Sequence, residues 1–530
     1  MRTVDSILTN FTAGELSPNM YGRTDIEKYY NGCMTMENFL VLPQGGAYRR
    51  PGSRYVAEVK TSSLFTRLVP FVFSTTQAYI LEFGNLYMRV YYDGGQVQSG
   101  STVYEVVTPY TTAQLPDLKF AQSADTLYIV HPSHEPRQLT RTAHTTWTLN
   151  TFDWENGPFM KDNDDDSHTL TVSAYFPDST GLYGETVTVT SSADVFTAND
   201  VGRWLKIRYT DPGTLINDGE YDPYLPGYIG GPWDVDGKFE LLYLFSDYSD
   251  GSVSLRYSVD GGTTYQDYMT FSAHTGTAKL TVTGELRSED YNHVTPKLRF
   301  YANRNTHRFY WNLKKVREAR TGYLKITAYT SAKEVRAKVY RRCSNLGIPT
   351  TNWALGAWGT VPGWPSSVTF HQGRLVFAGT TSEPSKVWMS VSDDYPNYDT
   401  GEGDEDSDAV GLTPIASEVN NVMWMASKGN LLIGTAGDEW VFDGANITPT
   451  NPPHARRETN FGSAKWQAVI ANGYVVFVQD GEKIVRQVQY DYYSDTYFAI
   501  DLTAMSDHIT GDGISYLAYL KSPWSTIWTC

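Results

Sequence analysis

Five times along this chain a short apolar run is followed, after a tight turn, by a second run rich in aromatic side chains. Gln77-Ala-Tyr-Ile-Leu-Glu-Phe-Gly84 leads to Leu86-Tyr-Met-Arg-Val-Tyr-Tyr92. The same pattern recurs at 125–131 with 136–140, 373–380 with 386–390, 429–435 with 438–442, and 473–478 with 484–488. Runs this short are too brief for helices and suit buried strands. Outer runs at 68–73 and 146–151 flank the first two pairs, and four antiparallel strands per unit predict a propeller blade. The centres Ile80, Tyr128, Val376, Leu432 and Val476 are separated by 48, 248, 56 and 44 residues. A repeat near 50 residues fits blades, so the long gap holds about 200 residues of a different kind.

The expected fold is therefore mainly β: a discontinuous β-propeller of about five to six blades with an inserted β-sandwich or barrel region. Its parts are an extended N-terminal arm at 1–60, the first blades at 61–154, the insertion at 155–345 and the remaining blades at 346–530. Aromatics at 14%, 38 Tyr and 44 Gly agree with strands joined by tight turns. Within the insertion, 169–173, 186–190 and 204–209 alternate as strands, and strand runs resume between 239 and 327. Residues 210–237, rich in Gly, Pro, Asp and Tyr, read as a long loop. Residues 332–342 fit a helix or a strand equally. Near the end, 515–520 and 524–528 read as two strands of a further blade. An open sheet edge there needs cover, and the run at 53–59 is expected to pair with it.

The net charge is −16, which opposes a surface that grips nucleic acid and permits one along which DNA slides. Cys33, Cys343 and Cys530 are far apart and form no disulfide framework or zinc motif. The first residues lack the apolar core of a signal peptide, and no run of 18 apolar residues offers a membrane helix.

Ser258-Val-Asp-Gly-Gly-Thr-Thr-Tyr265 matches the Asp-box pattern of hairpins, with Ser258, Asp260, Gly262 and Thr264 at its key positions. It reads as a turn device, because an Asp side chain can bond the backbone while Gly takes positive φ. The acidic run at 162–166 fails the calcium-loop pattern, since Ser167 and Ser173 stand where Gly and Glu are needed. A second acidic run, 402–408, reads as a solvated loop. His131 and His134 are broken by Pro132 and lack a metal-helix pattern. No phosphate-binding loop, nucleophile elbow or Cys–His signature occurs. No catalytic residue, metal or cofactor is therefore assigned. A carboxylate pair for glycoside hydrolysis is not legible from sequence.

The N-terminal stretch is Gly- and Pro-broken, with arginines among aromatics, so it is expected to lie along something rather than form a core. Its blocks are Phe11, Gly14, Glu15, Leu16, Ser17 and Pro18; Gly22, Arg23 and Asp25; Asn38, Pro43, Gly45 and Gly46; and Arg49, Arg50, Pro51 and Gly52. In this order they resemble the N-terminus of the nozzle proteins of short-tailed bacteriophages, the tail tubular protein B family. Further similar blocks are 371–377, 435–440 and 447–452, with 196–203 the sharpest piece inside the insertion. The likeness covers about 1–150 and 350–528. Similar chains continue beyond the Pro523 region.

The resemblance implies a structural virion protein of a short non-contractile tail, made in the host bacterial cytoplasm. It implies a homohexameric ring that docks on the tail adaptor, near tail fibres or tailspikes. Phage DNA would pass through without specific binding, and the far end would face the host cell envelope. On this view 10–52 is an assembly arm that buries Phe11, Tyr21, Tyr29 and Phe39, with Arg49 and Arg50 paired to carboxylates. The alternative reading is a glycan-active propeller hydrolase, a depolymerase or a carbohydrate-binding tail protein. The aromatics and the Asp box would serve that function.

Overall fold

The computed structural model describes residues 7–173, 186–210, 215–221, 227–235, 237–245, 248–274, 278–286, 290, 294–303, 309–315, 319–341, 347–401, 405–414, 419–444, 446–523 and 525–530. The chain is mainly β and divides into two compact units, Met1–Pro158 with Thr360–Cys530, and Phe159–Gly359.

The first unit is a succession of antiparallel meanders. Sheet 1 runs Arg67–Val72, Ala78–Gly84, Tyr87–Tyr92 and Glu105–Val107, with Gly95–Gln96 also paired to Tyr87–Tyr92. Sheet 2 runs Lys119–Ser123, Thr126–His131, His134–Ala143 and Thr146–Thr151. Sheet 3 holds Ser367–His371, Arg374–Ala378, Val387–Met389 and Val410–Leu412. Sheet 4 holds Val422–Lys428, Asn430–Thr435, Glu439–Asp443 and His454–Thr459. Sheet 5 holds Val469–Ala471, Tyr474–Val478, Val485–Asp491 and Thr496–Asp501. Sheet 6 has two strands, Leu517–Leu520 and Thr526–Thr529.

The turns explain the registers. Asn472 and Gly473 have φ of 48° and 77°, and Gln372 and Gly373 have 48° and 72°. Two consecutive positive φ values make the two-residue hairpin whose twist matches the flanking strands. Each turn thereby places Ala471 opposite Tyr474 and His371 opposite Arg374.

Neighbouring sheets touch in sequence. Phe83 meets Phe120 with ring centres 5.6 Å apart, joining sheets 1 and 2. Tyr128 meets Phe370 at 5.6 Å, joining sheets 2 and 3. His371 Nδ1 lies 2.8 Å from Ser427 Oγ between sheets 3 and 4. Trp424 meets Phe477 at 5.2 Å between sheets 4 and 5. The Tyr519 hydroxyl bonds Asn472 Oδ1 at 2.9 Å, linking sheet 6 to the turn of sheet 5. The Tyr516 hydroxyl, at the foot of sheet 6, donates to the Leu68 carbonyl of sheet 1 at 3.1 Å.

That last contact replaces an expected one. Residues 53–59 form no strand, so the pairing anticipated between 53–59 and 515–528 is incorrect. The stretch that follows Pro51 and Gly52 stays exposed at Ser53, Arg54, Tyr55 and Val56. Thr526–Thr529 pairs with Leu517–Leu520 alone among the described residues.

Among the described residues the second unit has three sheets. Its six-stranded sheet is ordered Leu170–Val172, Thr186–Ser191, Glu334–Arg341, Ala319–Ser331, Trp204–Thr210 and Trp353–Leu355. Val187, Val189, Leu205, Ile207, Leu324, Ile326, Val335 and Ala337 fill one core beside it. Two four-stranded sheets follow, one of Leu215–Tyr221, Phe309–Lys315, Gly237–Phe245 and Ala278–Leu286, the other of Gly227–Asp234, Lys297–Asn303, Tyr248–Ser258 and Gln266–His274. They meet where the Phe239 and Tyr268 rings are 5.6 Å apart.

One expectation is corrected here and one open reading is decided. The long loop expected at 210–237 contains the strands Leu215–Tyr221 and Gly227–Asp234. The second of these absorbs its glycines and Pro232 through register shifts at Tyr228/Gly230 and Gly230/Trp233, the behaviour of bulged strands. At 332–342 the chain forms the strand Glu334–Arg341, because Val335, Ala337 and Val339 alternate into the core.

Candidate functional site

Three places carry concentrated chemistry: the N-terminal arm, the Asp-box hairpin and a pocket where several sheets of the first unit meet. The arm is built from weak local elements held by backbone bonds. Gly14–Glu15 pairs in parallel with Gly32–Cys33. Leu16 is 3% exposed and packs on Gly32, where a Cβ would lie 2.5 Å from Leu16 Cγ. Ser17 accepts from the Asn19 amide at 3.2 Å and caps the short turn Pro18–Met20, with Pro18 pre-set in its first position. Phe11 donates its amide to the Gly45 carbonyl at 2.7 Å and is half-buried. The hairpin Phe39–Val41 with Ala47–Arg49 turns through Pro43, Gly45 and Gly46, and Gly45 has a φ of 103°.

The arm is anchored on one segment of the same unit. The Ser17 amide donates to the Met505 carbonyl at 2.8 Å, and Ser506 Oγ donates to the Glu15 carbonyl at 2.6 Å. The Glu15 carboxylate takes His508 Nε2 at 3.0 Å and the Met36 amide at 2.6 Å. The His508 bond and then the Met36 amide hold the Glu15 carboxyl below its ordinary range.

The remaining predicted arm residues sit apart from this anchor. Gly22, Pro51 and Gly52 are exposed. Arg23 forks onto Asp25 through two bonds of 2.8 Å in solvent, which pulls the Asp25 carboxyl down to about 2. Arg50 binds the Asn38 side-chain oxygen at 3.0 Å, and Arg49 is exposed with no carboxylate within 4 Å among the described residues. Within the single chain neither arginine pairs with a carboxylate among the described residues. Asn38 has positive φ, so its carbonyl and side-chain oxygen both reach Arg50. Tyr21 and Phe39 stay about half exposed in the single chain, whereas Phe11 and Tyr29 are partly covered.

The Asp-box hairpin forms as a turn. Asp260 Oδ1 accepts from the Ser258 hydroxyl at 2.7 Å and the Thr263 amide at 2.9 Å. Asp260 Oδ2 accepts from the Thr264 hydroxyl at 2.6 Å, and the Gly262 amide donates to Ser258 Oγ at 2.9 Å. The bond from Thr264 and then that from Ser258 depress the Asp260 carboxyl strongly. All its acceptor capacity points into its own loop, so it is spent on geometry. Among the described residues no group of His, Cys, Asp and Glu could hold a metal ion. In the first acidic run, Lys161 pairs with Asp164 at 2.6 Å and Lys206 with Asp162 at 2.6 Å. Residues 402–404 of the second run and Cys343 lie outside the described residues.

The third place escaped sequence reasoning. A pocket of about 390 Å³ is lined by Asp117, Lys119, Ser366, Thr380, Asn421 and Lys465, among others. Lys119 opens sheet 2 and is 4% exposed. Its ammonium donates to the Lys465 carbonyl, and the neighbouring Phe120 and Gln467 exchange bonds of 3.2 and 2.8 Å. Burial, then the nearby Arg67 guanidinium, push the Lys119 ammonium down to about 7. Lys465 pairs instead with Asp117 at 3.0 Å. Arg67 is itself buried and donates to the carbonyls of Leu115 and Leu118 at 2.9 and 2.7 Å. The lining comes from segments more than three hundred residues apart, and no motif marks it.

Comparison with known proteins adds little. No protein-family model matches the chain, and no curated protein matches it. Among solved structures, an exo-β-1,3-galactanase from Phanerochaete chrysosporium aligns at 10% identity over 48% of this chain and 70% of that one, with a TM-score of 0.13. T=1 particles derived from infectious bursal virus align at 11% identity over 45% and 74%, with a TM-score of 0.14. Likenesses at these scores carry no inference about fold or activity.

Proposed function

We propose that the chain is a structural subunit of a short non-contractile phage tail, the nozzle through which the genome leaves, working as a ring of six copies. The carrying observation is the N-terminal arm. Its ordered blocks resemble the tail tubular protein B family, and the residues split in role. Glu15 and Ser17 fix the arm to residues 505–508 of its own chain, Leu16 packs within the arm on Gly32, and Tyr21, Tyr30, Met34 and Phe39 remain exposed. In this reading the exposed set packs against the next copy. Exposed aromatic and sulfur side chains on a segment without its own core fit a subunit contact.

The six sheets, touching in cyclic order, are read as blades of a discontinuous propeller, and the second unit as the inserted β-sandwich region. The bonds between Phe120 and Gln467 cross from sheet 2 to the head of sheet 5. In the ring reading the exit path runs between copies. Six chains of net charge −16 would repel phosphates along it, so the genome would neither stick nor need counterion release. The tail adaptor, fibres or tailspikes, and the host envelope are the partners of this reading, and no residue is given a catalytic role.

The test is the particle mass of the purified chain and of a Leu16→Asp variant. Copies assembling to six times 59.5 kDa, and loss of the ring in the variant with the fold retained, are expected. A full chain that stays monomeric at every concentration, or that cleaves host polysaccharide at an enzyme-like rate, would overturn the reading.

A further inference from the structure

We propose that the pocket headed by Lys119 is a binding site for a small carboxylate, of the kind carried by acidic sugars. A buried ammonium is stable when a carboxylate or a full set of acceptors repays its lost hydration. Lys119 has neither: its nitrogen has one carbonyl partner and no carboxylate within 4 Å among the described residues. The one acidic group lining the cavity, Asp117, is engaged by Lys465. Arg67, close enough to disfavour the Lys119 charge, is likewise held by main-chain carbonyls rather than by an acid.

Two lysines, Lys119 and Lys465, and one carboxylate, Asp117, thus line the cavity in a chain whose overall charge is −16, so the local excess is opposite in sign to the molecule. Around them the cavity offers the hydroxyl-bearing residues Ser366, Thr380 and Thr381 and the amide-bearing Asn421. Such a set suits the hydroxyls of a sugar, while the ammonium takes the acid group. Its volume of about 390 Å³ lies within the range of small-ligand sites. A bound carboxylate would give the Lys119 ammonium a counter-charge at hydrogen-bonding range, where the described residues offer it only the Lys465 carbonyl. This site is independent of the subunit contacts read from the arm.

The experiment titrates the full chain with sodium D-glucuronate, sodium acetate and D-glucose, following amide shifts of Thr380, Thr381 and Asn421 and the melting temperature. Glucuronate is expected to bind and to raise the melting temperature, with D-glucose silent at the same concentration. Lys119→Met, which keeps the length of the stem without the charge, should weaken glucuronate at least about tenfold. Should that variant not fold, Lys465→Gln on the rim and the wild-type amide shifts still report on the site. Acetate moving the same amides also supports the site, and shows that the acid group alone is read. Glucuronate and glucose acting alike, no shift at these amides, or undiminished binding by Lys119→Met would each overturn the proposal.

Discussion

Sheet 3 and sheet 1 are built on the same meander, yet their strands live in different surroundings. In Arg374–Ala378 every residue is buried. In Arg67–Val72 burial alternates, and Leu68 and Val72 are 53% and 55% exposed. The reason is the neighbours. Phe377 faces Phe152 beyond sheet 2 at 5.7 Å, while Val376 and Ala378 pack with Val422 and Met425 of sheet 4. Sheet 1 is covered by sheet 2 on one face through Val69, Phe71 and Leu81. Its other face meets the two-stranded sheet 6 at Tyr516 and otherwise borders an apolar groove of about 450 Å³ lined by Val56, Leu68, Ala78 and Ile80. The same strand pattern is thus a core element where sheets flank it and a half-exposed one where they do not.

The largest expected effect tests the enclosed side. Phe377→Ala removes a ring that also contacts Tyr398 at 6.2 Å, and should cost about 3–5 kcal/mol in denaturant unfolding. A cost near that of a surface change would show that sheet 3 is not packed on both faces. Next comes Arg374, buried and donating to the carbonyls of Ser390, Asp406 and Asp408 at 2.7, 2.7 and 2.6 Å. Arg374→Met leaves these carbonyls without their donor and should cost about 2–4 kcal/mol. Urea titration of the variant followed by tryptophan fluorescence measures it.

The open side predicts the reverse. Leu68→Ser should change stability by less than about 1 kcal/mol, because the side chain gives up little burial. Its main effect should be reduced self-association in light scattering, since it breaks an exposed apolar strip. If Leu68→Ser destabilises the isolated chain as strongly as Phe377→Ala, the face is covered in solution and the contrast between the two sheets fails.

The contrast also marks what the sequence made legible. The apolar run at 373–380 and the outer run at 68–73 were both visible as strands, because period and length are local properties. Which face would be covered was not, since coverage depends on the order in which sheets meet. The Asp-box turn was legible for the same local reason: five residues within one hairpin, Ser258, Asp260, Gly262, Thr263 and Thr264, supply these bonds. The anchor of the arm and the Lys119 pocket were not. Glu15 meets His508, and Lys119 meets Lys465, across separations of 493 and 346 residues that no window spans. The strand expected at 53–59 failed because its hydrophobic run found no partner edge, and pairing decides a strand as much as propensity does.

The smallest effect concerns that anchor, the counterpart of the open face at the chain's beginning. Glu15 has its carboxyl lowered by the bonds from His508 and the Met36 amide. A group lowered in the folded state contributes stability above its unfolded value, near about 4.3, and loses it as pH falls through the folded value. The contribution should stay below about 1 kcal/mol, because both side chains keep partial access to water. It should nevertheless be visible locally. Exchange of the Ser17 and Met36 amides should be slow at neutral pH and accelerate on acidification below the ordinary carboxylate range, ahead of global unfolding. In Glu15→Gln the Met36 amide should exchange faster at neutral pH, and the acid-induced step should vanish, while the Ser17 bond to Met505 persists. An acid step that survives in Glu15→Gln would assign the release of the arm to another group. A Ser17 amide as labile as those of 53–59 would mean that the arm, like the outer face of sheet 1, lacks a fixed seat within its own chain.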